Sequence, residues 1–181
     1  MVFEKLKQAD AQVVNVTYLA KPMQASILLM SRLGQGLRYD FAEVSVNGAR
    51  TTGVRSMNLG DGDTVVNMQL VNDDDVVALI TQRGAFKKMS ASEIPVTSRA
   101  RKGVQILHAL KAKPHEVVDF IKLTDAEAPL EVITDRCKVH DILPAEHPLN
   151  NRYSNGSFVI DTESEGVPES LRQKPIILTL S

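Results

Sequence analysis

The chain has 181 residues, 43% hydrophobic but only 4% aromatic and without Trp, so it can bury a core that must consist largely of Val, Ile and Leu. Its lone cysteine, Cys137, excludes an intramolecular disulfide framework, the opening MVFEKLKQAD lacks the apolar core of a signal peptide, and no run approaches the roughly 18 apolar residues of a membrane span; a cytoplasmic protein is expected, with no membrane partner. A net charge of −1 conceals segregation, because residues 83–113 carry eight basic residues against Glu93 alone, whereas residues 114–181 carry twelve acidic and six basic ones, which aims one part of the chain at a polyanion.

In chain order, Val13, Val14 and Asn15 come first, 52 residues ahead of Val65, Val66 and Asn67, and mark residues 1–25 as the end of a preceding unit. Residues 26–75 then read as short β-prone runs, Ile27 to Ser31, Leu37 to Phe41, Gly53 to Met57 and Thr64 to Val71. Leu33-Gly34-Gln35-Gly36, Leu59 to Asp63 and Asn72 to Asp75 supply the backbone geometries of tight turns. Residues 76–128 repeat the pattern in Val76 to Thr81, Ala85 to Met89, Gly103 to Leu107 and Val117 to Leu123. Leu29, Gly34, Glu43, Gly53 and Val54 are answered at an offset of fifty by Leu79, Gly84, Glu93, Gly103 and Val104. A weaker third copy lies fifty-three residues further on, where Val132, Ile133, Thr134, Arg136, Arg152 and Gly156 answer Leu79, Ile80, Thr81, Arg83, Arg99 and Gly103. Residues 129–181 form this divergent terminal unit and a tail, interrupted by Pro144, Pro148 and Pro168, which cannot donate to a sheet ladder. Four strands at a period near fifty define a propeller blade. The expected fold is all-β, a propeller-like disc of about three and a half four-stranded blades that does not close into a ring.

The second unit concentrates the charge. Its loop Thr97-Ser98-Arg99-Ala100-Arg101-Lys102 ends at Gly103 and combines cations with small hydroxyls, a composition suited to phosphate backbones. The equivalent loops keep one cation each, Arg50 in the first unit and Arg152 in the third, and Arg38, Arg83, Lys87 and Lys88 lie on the neighbouring hairpins. Other candidate sites fail on spacing. His140, Asp141 and His147 match no zinc pattern, Asp61 and Asp63 lack the remaining oxygens of a calcium loop, and Gly34 and Gly36 precede a strand instead of opening a helix. No catalytic residue, metal or cofactor is expected.

The run Arg83-Gly84-Ala85-Phe86-Lys87-Lys88, the pair Glu93-Ile94, the basic loop and Lys102-Gly103-Val104 together resemble the C-terminal domain of bacterial type IIA topoisomerase A subunits. The resemblance covers about residues 26–160. It implies a β-pinwheel that binds and bends duplex DNA around a basic rim, with Arg38, Arg50, Arg83, Lys87, Lys88, Arg99, Arg101, Lys102 and Arg152 as DNA contacts. It also implies two protein partners, the ATPase B subunit, and the catalytic N-terminal part of the A subunit. The role it implies is in ATP-dependent strand passage, decatenation and supercoil relaxation. The gyrase branch carries a box, Gln-Arg-Arg-Gly-Gly-Lys-Gly, of which Thr97 to Gly103 keeps Arg99, Lys102 and Gly103, Asn47 to Gly53 keeps Gly53, and Asn150 to Gly156 keeps Gly156 with Arg152 at the third position. So degenerate a box resembles the topoisomerase IV branch, with the gyrase wrapping domain as the alternative. The cleaving tyrosine of the family has no counterpart in the settings of Tyr18, Tyr39 or Tyr153, so the domain is not expected to cut DNA by itself. From a different class, a protein-binding propeller would use the acidic third blade as its contact surface.

Overall fold

A computed structural model describes residues 12–19, 24–46 and 53–174. The described strands are β1 (Ser26–Ser31), β2 (Gln35–Asp40), β3 (Val65–Val71), β4 (Val76–Thr81), β5 (Ala85–Ser90), β6 (Val96–Thr97), β7 (Val104–Gln105), β8 (Val117–Lys122), β9 (Leu130–Thr134), β10 (Val139–Ile142), β11 (Ser157–Phe158) and β12 (Pro168–Gln173). One short helix, α1 (Thr162–Glu165), and three 3-10 turns, Phe41–Glu43, Ala91–Glu93 and Pro144–Glu146, complete the list.

The repeat is visible first in its hairpins. Ser31 and Thr81 are buried at the ends of β1 and β4, and their hydroxyls accept the amides of Gln35 and Ala85 four residues on. Gly34 and Gly84 occupy the left-handed position of each turn, at φ 81° and 74°, and donate their N–H groups to Ser31 O and Thr81 O. The third hairpin keeps Thr134 but places Cys137 at the left-handed position, at φ 57°.

Three sheets result, with the orders β3-β1-β2, β8-β4-β5 and β12-β9-β10 from the axis outward. The fourth strand of each blade is not the one that the sequence suggests. Gly53 to Met57 forms no strand; instead β6 and β7, from the second repeat, both pair with β2 of the first sheet, and β11, from the third repeat, pairs with β5 of the second. The second and third repeats thus supply the outer edges of the first and second blades. The exchange demands close backbone approach: a Cβ on Gly103 would lie 2.4 Å from Gly36 O, and one on Gly156 would lie 2.1 Å from Phe86 O.

β4 is apolar on both faces because its sheet packs between the other two, and β1 is buried on both as well, with Leu28 and Met30 towards the second sheet and Ile27 and Leu29 in a cluster with Leu37, Tyr39 and Met57. Leu28, Met30, Leu79, Met89, Ile94 and Ile106 fill the space between the first and second sheets; Ala78, Ile80, Phe86, Leu130, Val132 and Leu171 fill the next. β9 alternates between buried and half-buried residues, as expected of a blade whose second face is partly solvated. Near the axis the inner strands are tied by a ladder at a period of 52. Asn15 Nδ2 donates to Asn67 Oδ1 (2.7 Å), Asn67 Nδ2 to Asp119 Oδ1 (2.8 Å), and Leu171 N–H to Asp119 Oδ2 (3.1 Å). Burial raises the pKa of Asp119, while the hydrogen bonds from Asn67 and from the Leu171 and Phe120 amides oppose that shift.

The exchanged strands predict an asymmetric response to alanine. Gly156→Ala, which meets Phe86 O at φ 72°, should lower stability by about 2 kcal/mol or more, whereas Gly60→Ala, with nothing within 4 Å, should be neutral to within about 0.5 kcal/mol. Urea denaturation of the two variants measures the difference.

Candidate nucleic-acid interface

The recurring cations sit at the joints between blades. Glu43 ends the first 3-10 turn and accepts the Arg99 amide (2.9 Å), while the Arg99 guanidinium donates to Arg55 O (2.6 Å). One repeat on, Glu93 accepts the Arg152 amide (2.9 Å), and the Arg152 guanidinium donates to Gln105 O. A second tie lies beside each of these. Arg38 donates to Ala91 O (3.3 Å) and pairs with Asp73 (2.7 Å), and its counterpart Lys88 donates to Pro144 O (2.7 Å). In both cases a side chain from the second strand of a blade donates to the first carbonyl of the next 3-10 turn, which also accepts the amide that closes the turn, Ile94 N–H on Ala91 O and His147 N–H on Pro144 O.

Lys87 takes the position that Leu37 occupies one repeat earlier, and it is only 1% exposed. Its ammonium donates to the carbonyls of Ile106, Arg152 and Ser154, pinning the chain where it crosses from the third repeat into the second blade. Burial pushes its pKa down to about 8, with Glu93 opposing and Arg152 reinforcing the shift. The three carbonyls therefore offset only part of the cost of burying the charge. Arg83 is held differently. It donates to Lys113 O (2.9 Å) and to His115 Nε2 (3.2 Å) and lies over the Phe158 ring at 5.3 Å. With Nε2 accepting, the His115 proton resides on Nδ1, which faces the Thr81 hydroxyl at 3.1 Å; burial and the Arg83 charge lower the pKa of this histidine.

The expected DNA contacts therefore divide. Arg38, at 3% exposure, and Lys87 are buried inside joints and do not present their charges to a phosphate, a correction forced by strand exchange. Arg83, Lys88, Arg99 and Arg152 are half-buried with their charged groups engaged on backbone carbonyls. Arg50 lies outside the described residues. Arg101 and Lys102 are exposed and make no side-chain hydrogen bond among the described residues.

Three further exposed cations join them. Arg55 lies on the segment paired with the basic loop through Ala100 N–H to Ser56 O (2.8 Å) and Asn58 N–H to Arg101 O (2.9 Å). Lys111 and Lys113 lie on the loop that follows β7, which is fastened to the third repeat by Asn155 Nδ2 to His108 O (3.1 Å) and Ala109 N–H to Tyr153 Oη (3.3 Å). Lys111 and Lys113 belong to the basic stretch of the sequence but lie outside the aligned loop. For Arg55 the one available signal is its departure from the repeat, where Gln105 stands fifty residues later. Between β2 and the basic loop a cleft of about 380 Å³ is lined by Gly36, Thr97, Ser98, Arg101 and Gly103.

The family model described as DNA gyrase C-terminal domain, beta-propeller, matches residues 25–72 and 75–124, more than half of the chain. The chain belongs to this family, the C-terminal domains of topoisomerase A subunits. It is 41% identical over 143 residues to the DNA topoisomerase 4 A subunit of Bacillus subtilis, covering 79% of this chain and 18% of that protein. It is 34% identical to the Staphylococcus epidermidis protein of the same name, covering 92% of this chain and 20% of that one. The chain thus spans about a fifth of the length of these relatives. Among solved structures it is similar to the C-terminal domain of DNA topoisomerase IV, at 36% identity and a TM-score of 0.79, over 83% of this chain and 46% of that one. It shares its fold with a DNA gyrase A C-terminal domain at 18% identity and a TM-score of 0.73, over 84% of this chain and 51% of that one. Among the described residues, no helix is long and apolar enough to cross a membrane, and no cluster of three or more His, Cys, Asp or Glu residues is placed to hold a metal ion.

The buried ammonium predicts how stability follows pH. With its pKa at about 8 in the folded protein, against 10.5 for an unburied lysine, Lys87 binds its proton less tightly when folded, so stability should rise as pH increases from 8 towards 10.5. The wild type should gain about 1.4 kcal/mol per pH unit in that window relative to Lys87→Met, as measured by denaturant titrations at several pH values.

Proposed function

We propose that this chain is the DNA-binding and DNA-bending domain of a topoisomerase IV A subunit, holding duplex DNA along its rim without reading sequence. The observation that carries the reading is that Arg55, Arg101, Lys102, Lys111 and Lys113, exposed and without a side-chain partner among the described residues, all lie on or beside the exchanged segments, in a chain whose total charge is only −1. These side chains lie in loops, and the one α-helix among the described residues, α1, is four residues long and acidic, unsuited to a major groove, so contacts fall on phosphates and any preference comes from the deformability of the duplex. The topoisomerase IV branch is favoured over gyrase wrapping by the degenerate box and by identities of 30–41% to A subunits of topoisomerase 4, against 18% to the gyrase structure. In the complete enzyme the domain presents DNA to the catalytic part of the A subunit while the B subunit hydrolyses ATP in the cytoplasm, at the nucleoid; the domain contributes geometry and leaves every phosphodiester intact.

Mobility-shift titrations across a range of salt concentrations test this. Arg101→Ala with Lys102→Ala should flatten the log–log salt dependence by about two units, at about 0.9 for each phosphate no longer neutralised, and Lys111→Ala with Lys113→Ala by a comparable amount. Lys174→Ala, where Lys174 is occupied by Asp141 and Glu131 on the third sheet, should leave the slope unchanged. Unchanged slopes in both basic pairs would overturn the placement of DNA on the exchanged segments.

A further inference from the structure

Opposite the hairpin turns, the disc presents a face of a different character. It is built from the turns at residues 40–46, 72–76, 90–96, 123–128 and 142–150, which together carry nine acidic residues and no Lys or Arg. Basic side chains that reach it among the described residues are engaged: Arg38 with Asp73, Lys88 with Pro144 O, Lys122 with Asp75 and Lys174 with Asp141 and Glu131. Asp74, Glu127 and Glu146 are exposed and have no ion-pair partner among the described residues.

The same face exposes one aliphatic side chain per repeat at equivalent positions. Val46, Val96 and Leu149 stand at offsets of fifty and fifty-three and are 103%, 52% and 58% exposed. Single exposed aliphatics are ordinary, but recurrence at one structural position is not accounted for by packing, because none of the three enters a core. They line successive grooves. Val46 and Val96 border a groove of about 940 Å³ with Asp40, Asp73 and Asp74, and Leu149 borders one of about 220 Å³ with Leu123, Asp74, Asp75 and Asp125. Asp74 lines both, so the two grooves are neighbours on the face.

Carboxylates repel a duplex, and aliphatic side chains gain nothing from phosphate. A cationic peptide meets both requirements, because its charged ends pair with the rim of each groove while its apolar side chains cover the aliphatics. We propose that this face is a protein-docking surface for a segment in which Lys and Arg alternate with aliphatic residues, and that it works independently of the DNA-binding edge.

Fluorescence anisotropy with a short labelled Lys/Leu peptide, compared with its Lys/Ser and Glu/Leu counterparts, tests the proposal. The Lys/Leu peptide should bind, and Val96→Ser with Leu149→Ser should weaken it about tenfold with little change in salt dependence. Asp74→Asn with Glu127→Gln should weaken it several-fold and flatten its salt dependence. All four substitutions are at exposed positions, and duplex binding by the same variants should stay within about twofold of the wild type. Equal binding of the Lys/Leu peptide by wild type and variants, or of the Lys/Leu and Lys/Ser peptides by the wild type, would overturn the proposal. So would a loss of duplex binding in the Val96/Leu149 variant, because DNA would then occupy this face. Absence of duplex binding by the wild type would instead refute the DNA-binding reading and leave this one standing.

Discussion

Exchange of the outermost strand between consecutive repeats is the constraint on which the rest of this structure depends. A blade built from its own repeat alone would leave β2 or β5 as an open edge, with a row of unpaired N–H and C=O groups. Pairing β6 and β7 with β2, and β11 with β5, closes those edges, but it makes each blade depend on residues some sixty to seventy positions later, such as Gly36 on Val104 and Phe86 on Ser157. Such pairing is entropically costly to initiate and needs fixed anchors. The anchors are the glutamate at the end of each 3-10 turn, the arginine amide it accepts and the glycine that allows the backbones to touch. Glu43, Arg99 and Gly103 form one set; Glu93, Arg152 and Gly156 form the next.

The repeat signature is therefore a code for joints. Glu43 and Glu93, Gly103 and Gly156, and Arg99 and Arg152 recur because every joint needs them, and the fold class followed from that recurrence together with the strand-length runs between turns. The pairing partner of the outer strand did not, because no local periodicity distinguishes a strand that returns to its own hairpin from one that crosses to the preceding blade. Misplacing that strand misplaced the cations with it. Arg38 and Lys87 read as exposed members of a basic cluster, yet the exchanged segments cover them and their charges are used on Asp73 and on backbone carbonyls. The cations left for a ligand are those that break the repeat: Arg55 faces Gln105 in the alignment, Arg101 faces Ser154, and Lys102 faces Asn155. In a repeat protein whose blades need one another, recurrent spacing marks architecture, and deviation from it marks the surface on which function is free to vary.

Segregation of charge follows from the same architecture. Hairpin turns and inter-blade turns fall at opposite ends of the strands, and the exchanged segments run between them, so a charge bias in one class of segment becomes a local charge bias. The exchanged loop at residues 97–103 is basic, and the inter-blade turns are acidic throughout. A chain with a net charge near zero thereby combines a basic exchanged loop with acidic inter-blade turns, each a source of short-range field under screening.

The third blade shows what happens when the joint code changes. Residue 141 stands where Arg38 and Lys88 reach for the next 3-10 turn, but it is an aspartate, held instead by Lys174 at 2.8 Å. Residue 137 stands where Gly84 lies beneath the exchanged chain, with the Cβ position 2.2 Å from Ile160 O, but it is a cysteine with a real Cβ and an exposed side chain. The turn is covered from within its own repeat instead: Thr134 and Arg136 donate to the carbonyls of Glu165 and Ser164, and the Lys138 ammonium pairs with the Glu165 carboxylate. At two joint positions the third repeat thus departs from the second, with Cys137 for Gly84 and Asp141 for Lys88, while the apolar alternation of β9 still packs its inner face on the second sheet.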